Sequence, residues 1–219
     1  MTKKKSSSNY SAPDKVTPLN QAQAEYLNSI ETNTITFGLG PAGTGKTYCA
    51  VALAADKLYS KQINQIIITR PAVEAGEKLG YLPGELEEKY APYLEPVKEI
   101  FISKFGKGWY ESQIKHENIK AIPLGFMQGK TFDNCFVIAD EMQNSTKVQM
   151  FMLLSRIGKY STMVLNGSLG LQQMISGTSG LLDAVERLES VRGCSSYEFC
   201  SDDVVRSGMA KLIVQAYED

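Results

Sequence analysis

The sequence lacks the features of membrane, secreted and metal-cluster proteins. No apolar run approaches the roughly 18 residues that a membrane-spanning helix requires, and no segment resembles a signal peptide. The chain has one histidine, His116, and its cysteines include no C-x-x-C pair: Cys49, Cys135, Cys194 and Cys200. These absences disfavour a zinc site and predict a cytoplasmic protein with no membrane partner.

The chain also lacks an excess of charge of either sign. Lys and Arg number 23 and Asp and Glu number 24, so any nucleic-acid contact requires a local basic patch. No internal repeat is present, and no break in composition follows residue 20. We predict a disordered Ser- and Lys-rich tail over 1–17 and one domain over 18–219.

The chain does contain a phosphate-binding loop. The match to G-x-x-x-x-G-K-[ST] consists of Gly40, Pro41, Ala42, Gly43, Thr44, Gly45, Lys46 and Thr47. A predicted strand over 35–39 precedes the loop and an Ala-rich helix over 48–58 follows it, which is the context that the motif requires. We predict that the loop N–H groups and Lys46 bind a nucleoside triphosphate and that Thr47 ligates Mg²⁺. A simple strand-to-helix turn would need neither the lysine nor the threonine.

Two acids follow a second apolar strand, over 135–139. Asp140 is predicted to complete the magnesium site, and Glu141 to polarise a water for attack on the γ-phosphate. In isolation such a pair would be interpreted as a helix N-cap and a first-turn acid. Together with a phosphate loop, it favours an ATP-hydrolysing protein over a small-molecule kinase, which must exclude water.

Apolar strands alternate with helical patterns along the rest of the chain. Further strands are predicted over 65–69, 118–123, 162–165 and 197–200, and further helices over 18–30, 85–105, 147–157, 180–188 and 204–217. The 85–105 helix is expected to be interrupted by Pro92 and Pro96 and closed by Gly106 and Gly108. This alternation predicts an α/β fold with a mainly parallel sheet covered by helices on both faces.

Several segments together resemble one known family. They are GPAGTGKT at 40–47, ITRPAVEAGEKLGYLPG at 68–84, MQGKTF at 127–132, DEMQN at 140–144 and DDVVRSGMAKLIVQAYE at 202–218. The chain resembles the PhoH-like family from about Asn20 to Glu218, and the 68–84 segment is far more specific than the phosphate loop. The core of that family is similar to the nucleotide-binding domain of superfamily 1 helicases. The resemblance therefore implies a single P-loop NTPase domain of the RecA/helicase-like kind.

The resemblance also implies roles for two glutamines. Gln21 is the candidate that reads adenine, through hydrogen bonds to the N6/N7 edge of the base, and its alternative is an exposed helix residue. Gln143 is the candidate that couples the γ-phosphate to the neighbouring strand and loop. Its alternative is an ordinary residue in the first turn of a helix.

Three arginines receive functional interpretations on the same basis. Arg70 is predicted to contact a nucleic-acid phosphate or a neighbouring subunit, or alternatively to pair with Glu74 or Glu77. Arg206 is the preferred finger arginine, acting within its own chain or from an adjacent subunit. Arg156 is the second candidate. Both have the alternative of a surface salt bridge, which is favoured for Arg156.

One segment departs from the family pattern. Where the family has Gly-Asp, two residues and then Gln, this chain has Gly167-Ser168-Leu169-Gly170-Leu171-Gln172. Ser168 replaces the acid and the glutamine falls one position late. We expect either Gln172 or Gln173 to substitute, or hydrolysis to be slow or uncoupled from partner binding.

Three functions follow in order of preference. The first is an ATPase that uses ATP and Mg²⁺, self-associates as a ring or dimer, and acts on RNA or single-stranded DNA as a helicase-like motor. The second is an ATP-dependent switch or assembly module with weak hydrolysis and no nucleic-acid coupling. A small-molecule kinase comes last, because the loops carry few basic residues for an acceptor lid.

Overall fold

The computed structural model describes residues 14–71, 86–168 and 179–218, with the side chains of 86–94 and 218 excepted. Within these ranges six strands form one sheet: β1 (Ile35–Leu39), β2 (Gln65–Thr69), β3 (Ile119–Ala121), β4 (Cys135–Ala139), β5 (Thr162–Gly167) and β6 (Cys194–Glu198). All strand pairs are parallel, and the order across the sheet is β3-β2-β4-β5-β1-β6.

Helices cover both faces of this sheet. The α-helices of the described ranges are α1 (Gln21–Thr32), α2 (Lys46–Tyr59), α3 (Leu86–Phe105), α4 (Lys107–Lys115), α5 (Lys147–Leu154), α6 (Gly180–Leu188) and α7 (Gly208–Glu218). One face packs against α1, α2 and α3, and the other against α5 and α6. The α/β class and the parallel, doubly covered sheet are therefore confirmed, and they agree with a single P-loop NTPase domain.

The central strands are apolar because both of their faces are buried. In β4, Phe136 and Ile138 belong to the core under α2, whereas Val137 and Ala139 belong to the core under α5 and α6. Alternate residues of a strand point to opposite faces, so a doubly covered strand is continuously apolar. The strand order places β5 between β1 and β4. Because these three strands are parallel, the segments that follow them lie side by side at the carboxyl edge of the sheet.

The prolines do not interrupt α3, which is a correction to the sequence-based prediction. The helix runs from Leu86 to Phe105 through both Pro92 and Pro96. Val97, Phe101 and Phe105 recur at four-residue spacing and are buried in the core, and this packing supports the helix beyond the prolines. Gly106 (φ 81°) does end the helix, but Gly108 lies inside α4.

The predicted bounds at the carboxyl end of the chain also need correction. β6 spans Cys194–Glu198 rather than 197–200, because its polar residues form a partly exposed edge strand in register with β1. A 3-10 turn at Ser201–Asp203, in which the Asp203 carboxylate accepts a hydrogen bond from Cys200 N, delays α7 until Gly208. Arg206 therefore lies in the connection before α7 and not on a helix.

Some predictions fall on residues outside the described ranges. They include most of the predicted tail, most of the 68–84 segment with Glu74 and Glu77, and both Gln172 and Gln173. The division into a tail over 1–17 and a domain over 18–219 stays a prediction. Within the described residues, none of the helices has the length and apolar character that crossing a membrane requires.

Candidate nucleotide-binding site

The phosphate loop connects β1 to α2 in a conformation that only its glycines adopt easily. Gly43 and Gly45 have φ angles of 88° and 91°, in the left-handed region that disfavours side chains. A Cβ atom on Gly43 would also lie 2.8 Å from the Cδ of Arg206. Glycine is therefore favoured at position 43 for two reasons: the backbone angle and the close contact with the Arg206 side chain.

Lys46 is held over this loop by the loop's own carbonyl groups. Its Nζ donates hydrogen bonds to the carbonyl oxygens of Gly40 at 2.8 Å and Pro41 at 2.6 Å. The same Nζ lies 6.0 Å from the centroid of the Phe199 ring. The ammonium group is thus fixed at the amino end of α2, where the helix dipole favours anions.

Thr47 and Asp140 come together as predicted for a metal site. The Thr47 Oγ1 donates to Asp140 Oδ1 at 2.9 Å, and Asp140 is only 3% exposed. Two adjacent ligands of an octahedral Mg²⁺ are about 2.9 Å apart, given metal–oxygen distances of about 2.0–2.1 Å. The oxygen donors and their spacing therefore fit magnesium.

Arg70 also contacts Asp140. Its Nη2 lies 2.5 Å from Asp140 Oδ2, so the carboxylate is bonded on one oxygen by a hydroxyl and on the other by a guanidinium. The contacts predicted for Arg70 were a phosphate, another subunit, or Glu74 or Glu77. The pairing with Asp140 was missed because it depends on β2 and β4 being neighbours.

Glu141 and Gln143 form a hydrogen-bonded pair beside Asp140. Glu141 is exposed and has a φ of 57°, unusual for a residue with a side chain. Gln143 is buried, and its Nε2 donates to Glu141 Oε2 at 2.7 Å. Its Oε1 accepts a hydrogen bond from the backbone N of Ser168 at 3.2 Å. Gln143 thereby connects Glu141 to the residue that follows β5.

Of the two candidate finger arginines, the structure brings only Arg206 to the loop. The backbone N of Val205 donates to Gly43 O at 3.0 Å, which places the Arg206 side chain directly over Gly43. Arg156 follows α5, donates to Ser155 Oγ, and does not border the cleft around the phosphate loop.

The structure places Gln21 away from the cleft and Gln23 in it. Gln21 is exposed and donates to Glu25 on the same helix. Gln23 is 1% exposed, accepts a hydrogen bond from Leu19 N at 2.9 Å, and donates to Thr44 O at 3.0 Å. The assignment of Gln21 to the cleft is therefore corrected to Gln23. The helical spacing of buried residues along α1 contained the signal for this position.

These elements enclose a cleft of about 410 Å³ at the carboxyl edge of the sheet. Lys46, Thr47, Asp140, Glu141 and Arg206 all border it. The remaining lining residues are Leu19, Gln23, Gly40, Ala42, Gly43, Gly45, Tyr48, Gly167, Ser168 and Val205. The cleft thus combines the phosphate-loop residues, a cation, a hydroxyl and two carboxylates with a partly apolar rim.

Two titratable groups in the core behind the loop are neutral. Burial raises the pKa of the Tyr26 hydroxyl well above its usual value, and this hydroxyl donates to Asn166 Oδ1. Burial also raises the pKa of the Cys49 thiol to about 12, so it is not a thiolate near neutral pH. Neither group is available as a charged acid, base or nucleophile.

Comparisons with known proteins identify the family of the chain. The family model described as "PhoH-like protein" matches residues 15–218. A "PhoH-like protein" of Bacillus subtilis is 43% identical over 197 residues, which cover 90% of this chain and 62% of that protein. A "PhoH-like protein" of Mycobacterium tuberculosis is 42% identical over 203 residues, 92% of this chain and 58% of that one.

"Protein PhoH" of Escherichia coli K12 is 39% identical over 201 residues, 90% of this chain and 57% of that protein. The chain spans about three fifths of the length of these relatives. Because the match extends over nearly all of the described residues, the chain belongs to the PhoH-like family.

Proposed function

We propose that this protein binds ATP with Mg²⁺ and hydrolyses it. The observation that carries the proposal is the convergence of Lys46, Thr47, Asp140, Glu141 and Arg206 on one cleft. These residues come from three separate parts of the chain: the start of α2, the segment after β4 and the connection before α7. The fold brings them to the edge where parallel sheets bind ligands.

Each group has a role in binding the triphosphate. The backbone N–H groups of the phosphate loop and Lys46 hold the phosphate oxygens, which replace the loop carbonyls as partners of Nζ. Thr47 and Asp140 would hold Mg²⁺. When bound, Mg²⁺ supplies positive charge that neutralises the phosphates.

Glu141 is the proposed base for hydrolysis. Its carboxylate borders the cleft next to the metal carboxylate, and the amide of Gln143 fixes the direction of one of its oxygens. A base that is held in this way polarises a water for in-line attack on the γ-phosphate. The second hydrogen bond of Gln143, to Ser168, couples this base to the end of β5.

Gln23 takes the adenine-recognition role that the sequence analysis gave to Gln21. Its two hydrogen bonds within the protein use one Nε2 proton and one oxygen lone pair. An amide has two protons and two lone pairs, so these two bonds leave one of each unused, and we propose that they pair with the N6/N7 edge of adenine. The exposed side chains of Leu19, Tyr48 and Val205 provide apolar surface beside it.

Arg206→Ala is expected to slow ATP turnover by about tenfold or more with little change in nucleotide affinity. The guanidinium would stabilise charge that develops in the transition state. Steady-state phosphate release and nucleotide-binding titrations separate the two effects. Arg156→Ala is the control and should match the parent protein; a larger loss in Arg156→Ala than in Arg206→Ala would reverse the assignment.

We further propose that hydrolysis is coupled to RNA or single-stranded DNA. The support is the resemblance to superfamily 1 helicase cores, together with a base that is connected to the end of β5. The test is phosphate release from ATP and Mg²⁺, with and without an unstructured RNA or DNA strand. Stimulation by a strand supports a helicase-like motor, and an unstimulated rate removes the coupling.

An ATP-dependent switch with weak hydrolysis is the second candidate. The observation in its favour is Ser168, which stands where the family has an acid and donates a hydrogen bond to Gln143 from its backbone N. Tight ATP binding with slow, unstimulated phosphate release would favour this reading. Transfer of phosphate to an added small-molecule acceptor would favour a kinase instead.

We further propose that the protein self-associates. The exposed apolar face of α7 supports it. Met209, Leu212, Ile213 and Tyr217 are 53% to 71% exposed and recur at helical spacing along one side. An exposed apolar stripe of this kind is typical of a protein–protein contact.

A double variant, Leu212→Ser with Ile213→Ser, is therefore expected to weaken self-association. Burying each side chain contributes about 1.5–3 kcal/mol, so the association constant should fall at least tenfold. Sedimentation velocity over a range of concentrations measures the change. Tyr160→Asn, which removes an 84% exposed aromatic at a φ of 56° that Asn tolerates, is the control. A parent protein that stays monomeric throughout would rule out this contact.

A further inference from the structure

The ion pair between Arg70 and Asp140 lies inside the proposed metal site. The Arg70 side chain is 16% exposed and the Asp140 side chain 4%, so water screens their attraction little. One oxygen of Asp140 accepts from Thr47 and the other from Arg70. The carboxylate that should hold Mg²⁺ therefore already has a cationic partner.

The pairing of β2 with β4 fixes the position of the Arg70 backbone relative to that of Asp140. Thr69 at the end of β2 pairs with Ala139 at the end of β4, and Asp140 N donates to Thr69 O at 2.9 Å. Arg70 and Asp140 are the next residues on these two neighbouring strands. The backbone register thus holds the guanidinium beside the carboxylate.

The charges around the cleft disfavour a metal ion that arrives alone. Among the described residues around the cleft, Lys46, Arg70 and Arg206 are cationic, and Asp140 and Glu141 carry the carboxylates. In the described part of the chain, no three His, Cys, Asp or Glu side chains cluster as a metal site. A strongly anionic triphosphate reverses the local charge and supplies further oxygen ligands.

We propose that Arg70 is a counter-cation for the metal carboxylate, so that the cleft accepts a divalent cation only together with a triphosphate. This inference rests on the proposed ATP and Mg²⁺ site and adds the binding order that Arg70 imposes on it. Arg70 is a positioning residue, since it acts through Asp140. A purely structural ion pair would stabilise the fold without changing the order of binding.

The experiment measures Mn²⁺ binding from the electron paramagnetic resonance signal of free Mn²⁺. Parent protein and Arg70→Gln are titrated with Mn²⁺ alone. A non-hydrolysable ATP analogue itself binds Mn²⁺, so in its presence the protein-bound Mn²⁺ is measured by equilibrium dialysis instead. With Mn²⁺ alone, Arg70→Gln should bind at least about tenfold more tightly than the parent. A nearby arginine lowers the proton affinity of a carboxylate by about one to three powers of ten, and it opposes the binding of a divalent cation in the same way. With the analogue present, the difference should shrink to a few fold.

Two further variants keep the result interpretable. Arg70→Lys retains the positive charge, so its affinity for Mn²⁺ should resemble that of the parent. Arg70→Gln loses the buried ion pair and is expected to be less stable than Arg70→Lys. Arg192→Gln removes an exposed arginine before β6, at the opposite edge of the sheet, and should change nothing. Thermal unfolding of each variant establishes that it is folded.

The outcomes separate this inference from the proposed function. If the parent fails to bind Mn²⁺ even with the analogue, the proposed ATP and metal site is wrong. If the parent binds the pair, but Arg70→Gln binds Mn²⁺ alone no better than the parent does, the role of Arg70 is wrong. If Arg70→Gln binds Mn²⁺ more weakly than the parent does, Arg70 orients Asp140 for metal binding and does not oppose the metal.

Discussion

Glu141→Gln is expected to bind ATP as tightly as the parent protein and to release phosphate at least about a hundredfold more slowly. A positioned general base contributes roughly a hundredfold to ten-thousandfold to a rate, and a carboxamide cannot accept the proton from water. The substitution keeps the size of the side chain and an oxygen that can accept from Gln143 Nε2. The variant should therefore lose the rate of hydrolysis while keeping its affinity for ATP.

The measurement pairs single-turnover phosphate release with titration of a fluorescent ATP analogue. Glu189→Gln is the matched control, because Glu189 is an exposed glutamate at the end of α6, away from the cleft. It should behave as the parent protein does. If Glu141→Gln instead hydrolyses ATP at the parental rate, the base must be another group and the role of Glu141 must be reassigned.

The phosphate loop and the acidic pair were predictable because their signals are local. A run of apolar residues before Gly40 and an Ala-rich helix after Lys46 specify a strand, a loop and a helix without reference to the rest of the chain. Asp140 likewise follows directly from an apolar strand. The doubly covered parallel sheet was predictable for the same reason, since continuously apolar strands require cover on both faces.

The contacts across the sheet were not predictable in the same way. The pairing of Arg70 with Asp140 requires β2 to neighbour β4, and sequence patterns do not specify strand order. Arg206 was identified, but its location over Gly43 depends on the 3-10 turn that delays α7. Gln23 differs from both, because its burial beside Tyr26 and Leu27 follows from helical periodicity that the sequence already displays.

Lys46→Ala is expected to abolish turnover and to weaken triphosphate binding by at least about tenfold. Hydrogen bonds to charged groups contribute about 1.5–3 kcal/mol each, and Lys46 is the cation at the amino end of α2. The variant also loses the bonds from Nζ to Gly40 and Pro41, so the loop itself should become less rigid. Binding titrations and phosphate release measure the two losses, and thermal unfolding measures any loss of stability.

Lys57→Ala is the matched control for this experiment. Lys57 belongs to the last turn of the same helix, at the end remote from the phosphate loop, and alanine preserves helix propensity there. Its variant should bind and hydrolyse ATP as the parent protein does. Equal turnover in Lys46→Ala and Lys57→Ala would remove the phosphate loop from the proposed mechanism. Loss confined to Lys46→Ala would leave the cleft between β1 and β4 as the site of ATP binding.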